Sequence, residues 1–256
     1  MSIVQVLILA VVQGLTEFLP VSSKTHLLFA QALMGMGEPD LFLIVALHAG
    51  SLAAILLYYR RAWLDLLGER RREIPRLVLG TVPAVAAALL FKKHLEPLYG
   101  NWALASGLLI VNGLFLFLSE RFGRERHGVP EAPLWKAMAV GAAQACALLP
   151  GISRSGSTIG TACLLGFRRG EAVRFSFFLG AVAVSGALAF KGKDLLRGEG
   201  TTPPMPIFIG VVASFAVSLA AIKLVEILSL RGKLSVFALY CALVGTGGLV
   251  FYFARG

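Results

Sequence analysis

Two short stretches of this chain are near-copies of one another, and each sets ionisable and hydroxyl residues inside apolar sequence. The first is Leu19-Pro20-Val21-Ser22-Ser23-Lys24-Thr25-His26 and the second is Leu149-Pro150-Gly151-Ile152-Ser153-Arg154-Ser155-Gly156. With the prolines aligned, Ser23 meets Ser153, Lys24 meets Arg154 and Thr25 meets Ser155. A charge held within hydrocarbon costs several kcal/mol and marks function by default. Proline removes a backbone donor and breaks the helix that carries it. Any fold for this chain must therefore accommodate a broken helix twice. A cation and several hydroxyls, presented twice from broken helices, form a site for an anion.

The surrounding sequence says what kind of fold this is. The chain is 57% hydrophobic with a mean hydropathy of +0.79, and only 15% of its residues are charged, against roughly 25% in soluble domains. That composition predicts an all-α polytopic membrane protein, whose backbone hydrogen bonds close within helices. Met1 to Ala10 has no basic leader, so no cleaved secretory signal is expected. Cys146, Cys163 and Cys241 lack metal-like spacing and are expected as packing thiols. The net charge of +10 comes with no nucleic-acid motif. Its arginine clusters read as membrane-flanking loops, and no nucleic-acid partner is expected.

Apolar segments at about 41–59, 76–91, 102–118, 172–190, 206–228 and 234–254 are each expected to span. Residues 3–34 and 136–166 are interrupted at Pro20 and Pro150, and are expected as helix–loop–helix hairpins that enter the membrane and return. The plan is a single integral membrane domain over 1–256. Each half, about 1–120 and about 134–256, has one re-entrant hairpin and three transmembrane helices. An odd number of spans inverts the second repeat relative to the first, and a site then lies where the repeats meet.

The plan sorts the cations. One side receives Arg60, Arg61, Arg70, Arg71, Arg72, Arg76, Arg121, Arg124, Arg126, Lys136, Arg168, Arg169, Arg174, Arg231 and Lys233. The other receives Lys92, Lys93, Lys191, Lys193, Arg197 and Arg255, while Lys24, Arg154 and Lys223 stay inside. The positive-inside rule makes the first side cytoplasmic and places both termini outside. The hairpins then enter from opposite faces, so that their tips can meet.

Glu17 is the clearest chemical candidate, since intramembrane acids are rare. It follows Gln13 by four residues, so both share a helix face. It could bind a divalent cation, act as a base, or pair with Lys24 or Arg154; Gln13 is a ligand, an orienter or packing. His26 accompanies Ser22, Ser23 and Thr25 at the break and suits proton transfer. His48, also apparently buried, ranks lower because it lies one helix away. Ser153, Arg154, Ser155, Gly156 and Thr158 form the second feature. A helix resuming at Ser157 would offer free N–H groups beside hydroxyls and a guanidinium, a cradle for phosphate. The spacing is similar to a Walker loop, but Ser157 stands where the lysine should be and no βαβ context surrounds it. Lys223 and Glu226, one turn apart, are expected as a local ion pair.

At these residues the chain resembles the bacitracin-resistance type of undecaprenyl pyrophosphate phosphatase. The family's (Glu/Gln)-x-x-x-Glu motif matches Gln13-Gly14-Leu15-Thr16-Glu17, followed by Phe18-Leu19-Pro20-Val21-Ser22-Ser23 and His26. Its Pro-Gly-x-Ser-Arg-Ser-Gly motif matches Pro150 to Gly156 without a gap, and Thr158 matches too. Lys24-Thr25 departs from the usual Thr-Gly, and Gln13 replaces the acid found in many members. The resemblance implies hydrolysis of undecaprenyl pyrophosphate to undecaprenyl phosphate and inorganic phosphate at the outer face of the bacterial plasma membrane. It implies a divalent cation, Mg²⁺ or Ca²⁺, at Glu17 with Gln13. It implies catalytic roles for Glu17, Ser23, His26 and Arg154, and phosphate contacts from Ser22, Ser153, Arg154, Ser155, Gly156 and Thr158. A transporter or flippase of an anionic prenyl lipid would use the same site without cleaving its cargo. A phosphatidic-acid-type phosphatase is excluded, because no histidine follows Ser153-Arg154. The sequence leaves open whether Ser23, Ser153 or water attacks the phosphorus, and leaves oligomeric state open, a homodimer included.

Overall fold

The computed structural model describes residues 1–36, 41–196 and 202–255, with the side chains at 41, 191–196 and 255 left out. Arg197 and the side chains of Lys191, Lys193 and Arg255, all expected on one face, therefore lie outside the described residues. Every regular element described is helical. In order these are α1 (Ile3–Thr16), α2 (Ser23–Leu33), α3 (Leu41–Tyr58), α4 (Arg60–Asp65), α5 (Ile74–Leu95), α6 (Trp102–Phe122), α7 (Leu134–Cys146), α8 (Arg154–Leu164), α9 (Arg169–Leu196), α10 (Pro204–Leu230) and α11 (Leu234–Arg255). Single 3₁₀ turns precede and follow α5.

Local chemistry sets several of these starts. Ser2 caps α1 through a reciprocal capping box with Gln5. The Asn101 side chain accepts from the Leu104 N–H at the start of α6. Ser153 accepts from the Gly156 N–H, so α8 begins at Arg154 rather than after Ser157. The serine cap offsets the cost of starting a helix inside the glycine-rich run.

Five of the described helices, α5, α6, α9, α10 and α11, are long and apolar enough to cross a membrane. The segment expected at 41–59 is α3, a shorter apolar helix whose 18 residues reach about 27 Å at 1.5 Å per residue, slightly under a hydrocarbon core of about 30 Å. Large apolar side chains such as Leu89, Phe117, Phe208 and Leu243 face outward, as lipid contact requires.

Helix pairing interleaves the two halves of the chain. α1 and α3 pack on α10, α7 and α9 pack on α5, α3 meets α9, and α6 lies along α11. α9 is the most enclosed of the long helices and brings Phe175, Phe177 and Phe178 into the core. Where α9 begins, Glu73 accepts from Arg70 and Arg174 at 2.5 and 3.0 Å, and Glu171 is 2.7 and 2.8 Å from the same two arginines. The Val129 N–H, in the connection between α6 and α7, also donates to Glu171.

Lys223 and Glu226 do not pair as their spacing suggested. Glu226 accepts hydrogen bonds from the Tyr58 hydroxyl at 2.7 Å and from the Tyr59 hydroxyl. Lys223 is exposed, while Glu226 is held by the tyrosines at the end of α3. All three cysteines are free; Cys163 and Cys241 are buried as packing thiols, whereas Cys146 is exposed, contrary to expectation.

Candidate active site

The two proline breaks come together. The Ser155 hydroxyl donates to the Leu19 carbonyl at 3.0 Å. Asn112, on α6 and 1% exposed, joins both loops: its Nδ2 donates to the Pro20 carbonyl at 2.9 Å, and its Oδ1 accepts from the Ser153 N–H at 3.0 Å. Backbone groups freed by the breaks thus find partners inside the protein, as their depth demands. Gly151 lets the second loop pass close to α6. It has φ +92°, and a Cβ there would fall 2.5 Å from the Ala105 carbonyl oxygen. The first loop turns through Ser22 at φ 67°, a conformation that costs about 1–3 kcal/mol outside glycine and clusters at functional sites.

Glu17 sits at the end of α1 with 8% exposure, where a lone carboxylate could not remain charged. Its Oε1 accepts from Arg154 Nη2 at 2.6 Å. Its Oε2 accepts from Gln13 Nε2 at 2.9 Å and from the Ser23 hydroxyl at 3.3 Å. Of the two partners open to Glu17 from sequence, the structure selects Arg154. Lys24 is exposed instead, with its ammonium 3.0 Å from the Leu148 carbonyl and over the Tyr99 ring, so it is not an interior charge.

Two polar atoms here are buried without a hydrogen-bond partner, Arg154 Nη1 and Gln13 Oε1. Arg154 Nη1 is packed in the notch left by Gly180 of α9, where a Cβ would fall 1.4 Å from it.

The hydroxyls divide by accessibility. Ser22, Ser153, Ser155 and Thr158 are all buried. Ser22 lies 3.1 Å from the Thr25 hydroxyl, and Ser153 lies 3.1 Å from that of Ser155. Thr158 donates back to the Arg154 carbonyl and is 2.5 Å from Ser176 on α9. Ser23 is half-buried, and its hydroxyl points to Glu17.

His26 belongs to a separate corner. Its Nδ1 donates to the Ser22 carbonyl at 2.8 Å, leaving Nε2 to accept from the Tyr240 hydroxyl at 2.9 Å. The ring stacks on Tyr240 of α11. His48 of α3, ranked low in sequence, reaches the site: its Nε2 is 3.5 Å from Glu17 Oε2. Asn112, Ser176 and Tyr240 were not singled out from sequence. A polar Asn112 in an otherwise apolar span was the available signal.

Among the described residues no three His, Cys, Asp or Glu side chains converge as a metal cluster. Glu17 and Gln13 Oε1 are nonetheless oxygen donors of the kind that would hold a divalent cation such as Mg²⁺ or Ca²⁺.

The sequence is similar to known proteins along nearly its whole length. The family described as bacitracin resistance protein BacA matches residues 6–247. The chain belongs to that family. Among its relatives are proteins named undecaprenyl-diphosphatase. The one from Rhodopirellula baltica is 39% identical over 247 residues, covering 95% of this chain and 96% of that protein. The one from Geobacter metallireducens is 39% identical over 264 residues, covering 96% and 97%. The one from Halothermothrix orenii is 36% identical over 249 residues, covering 96% of each.

Proposed function

We propose that this chain is an integral-membrane phosphatase that hydrolyses undecaprenyl pyrophosphate to undecaprenyl phosphate and inorganic phosphate, recycling the carrier used in cell-wall synthesis. The observation that carries the reading is the pairing of Ser23 with Glu17, beside an Arg154 guanidinium that keeps one nitrogen unpaired. A diphosphate needs positive charge where its transferring phosphoryl group sits, and a nucleophile in line with the bond that breaks.

In this mechanism the Arg154 guanidinium takes a phosphoryl oxygen, helped by N–H groups at the start of α8. Ser23 attacks the terminal phosphorus as its proton passes to Glu17, and the P–O bond to the lipid phosphate breaks. Water then cleaves the seryl phosphate, releasing inorganic phosphate and restoring the hydroxyl. His26, held by Tyr240, moves protons at the open side. Ser22, Ser153, Ser155, Gly156 and Thr158 shape the cradle around the phosphates. A divalent cation held by Glu17 and Gln13, when bound, supplies charge neutralisation for the diphosphate.

The fold's finer plan belongs to the same proposal. α1–α2 and α7–α8 are re-entrant hairpins of two inverted repeats. The reciprocal packing of α1 on α10 and α7 on α5, with α3 on α10 and α9 on α5, supports it. The skewed cation distribution supports a plasma-membrane orientation with both termini and the site opening outward.

The test is phosphate release by purified chain given undecaprenyl pyrophosphate, with and without Mg²⁺ or Ca²⁺, beside a Glu17→Gln variant. Cation-stimulated release that the variant lacks is expected. Intact substrate after incubation with folded protein in every cation would overturn the reading.

A further inference from the structure

His48 has no part in the mechanism above, yet it reaches the central carboxylate. Its Nδ1 lies 2.8 Å from the Ile44 carbonyl oxygen. That oxygen can only accept, so Nδ1 carries the ring proton and a neutral ring presents a bare lone pair at Nε2. This lone pair is 3.5 Å from Glu17 Oε2, itself a lone-pair atom. Two such atoms sit side by side when a proton or a metal cation joins them. Arg154 does not serve, since its contact is with Oε1. A third electron-pair donor is near: Gln13 is fully buried and its Oε1 has no partner, while the Nε2 of the same amide is 2.9 Å from Glu17 Oε2.

We infer that Gln13 Oε1, Glu17 Oε2 and His48 Nε2 together form a mixed oxygen–nitrogen divalent-cation site. An imidazole ligand moves preference away from Mg²⁺ and Ca²⁺, which take oxygen, and toward first-row transition-metal ions. The Ile44 carbonyl is the outer partner that fixes the ring's tautomer and orientation, a role commonly seen behind a metal-bound histidine. This deepens the phosphatase reading and relies on it only for what the cation is used for.

The test uses Mn²⁺ as a paramagnetic probe on the purified full-length chain, alone and with methylenediphosphonate, a diphosphate that resists hydrolysis. Electron-spin-echo spectra should show imidazole nitrogen modulation in the unaltered protein and in His26→Gln, and lose it in His48→Gln. Mn²⁺ affinity should fall at least about tenfold in His48→Gln, and Zn²⁺ should displace Mn²⁺ at far lower concentration than Mg²⁺ does. Absence of nitrogen modulation in the unaltered protein, or its persistence in His48→Gln, would overturn the site and leave an imidazolium–carboxylate pair in its place. Phosphate release measured on the same preparations separates that outcome from failure of the phosphatase reading.

Discussion

Arg154 is the residue on which the two loops converge. It closes the Glu17 ion pair through Nη2, while its unpaired Nη1 packs against Gly180 of α9. Arg154→Ala is expected to cut turnover by at least about 10²–10³, the loss typical when one preorganised charge-stabilising group is removed. Arg154→Lys restores charge without the planar fork and should recover only part of the rate. The serines should separate more sharply. Ser23→Ala removes the accessible hydroxyl on Glu17 and should abolish turnover. Ser153→Ala removes a helix cap worth about 1 kcal/mol and should lower stability before chemistry. Equal residual rates in steady-state assays of the two variants would contradict this division. Asn112→Leu leaves the buried Ser153 N–H without its partner, at about 1–3 kcal/mol, and leaves the Pro20 carbonyl to the weaker Cys241 thiol. Thermal unfolding in detergent should register that loss.

At the scale of elements, the broken helices were legible because proline, glycine and hydroxyl residues interrupt apolar runs at matching positions. Their partners were not, because those partners come from other helices. His48 reaches Glu17 from α3, Tyr240 reaches His26 from α11, and Ser176 reaches Thr158 from α9. Spacing along one helix describes only neighbours on that helix, which is why Lys223 and Glu226 looked like a pair although tyrosines from the end of α3 hold Glu226. The same blindness hid the charge network at the start of α9, where Arg70 and Arg174 read from sequence as loop cations. Glu73 there is 1% exposed between two arginines. Removing it leaves Glu171 alone to pair both arginines, so Glu73→Ala should destabilise by about 1–3 kcal/mol. An unchanged unfolding temperature would show the network to be solvated.

For the whole molecule, the interleaved packing ties each loop to helices of the opposite half, so neither half completes the site alone. Orientation can be read in whole cells after the native cysteines are replaced. A cysteine at Lys92 should react with a membrane-impermeant maleimide added outside, and one at Arg126 only after permeabilisation; the reverse pattern would invert the topology. The central claim is that the juxtaposed loops cleave a phosphoanhydride through Ser23. It is tested most directly with undecaprenyl pyrophosphate labelled in its terminal phosphate, by quenching the reaction and following the label. The account predicts transient label on the chain at Ser23, then inorganic phosphate, with neither formed by Ser23→Ala. Phosphate release at a normal rate by Ser23→Ala would contradict it.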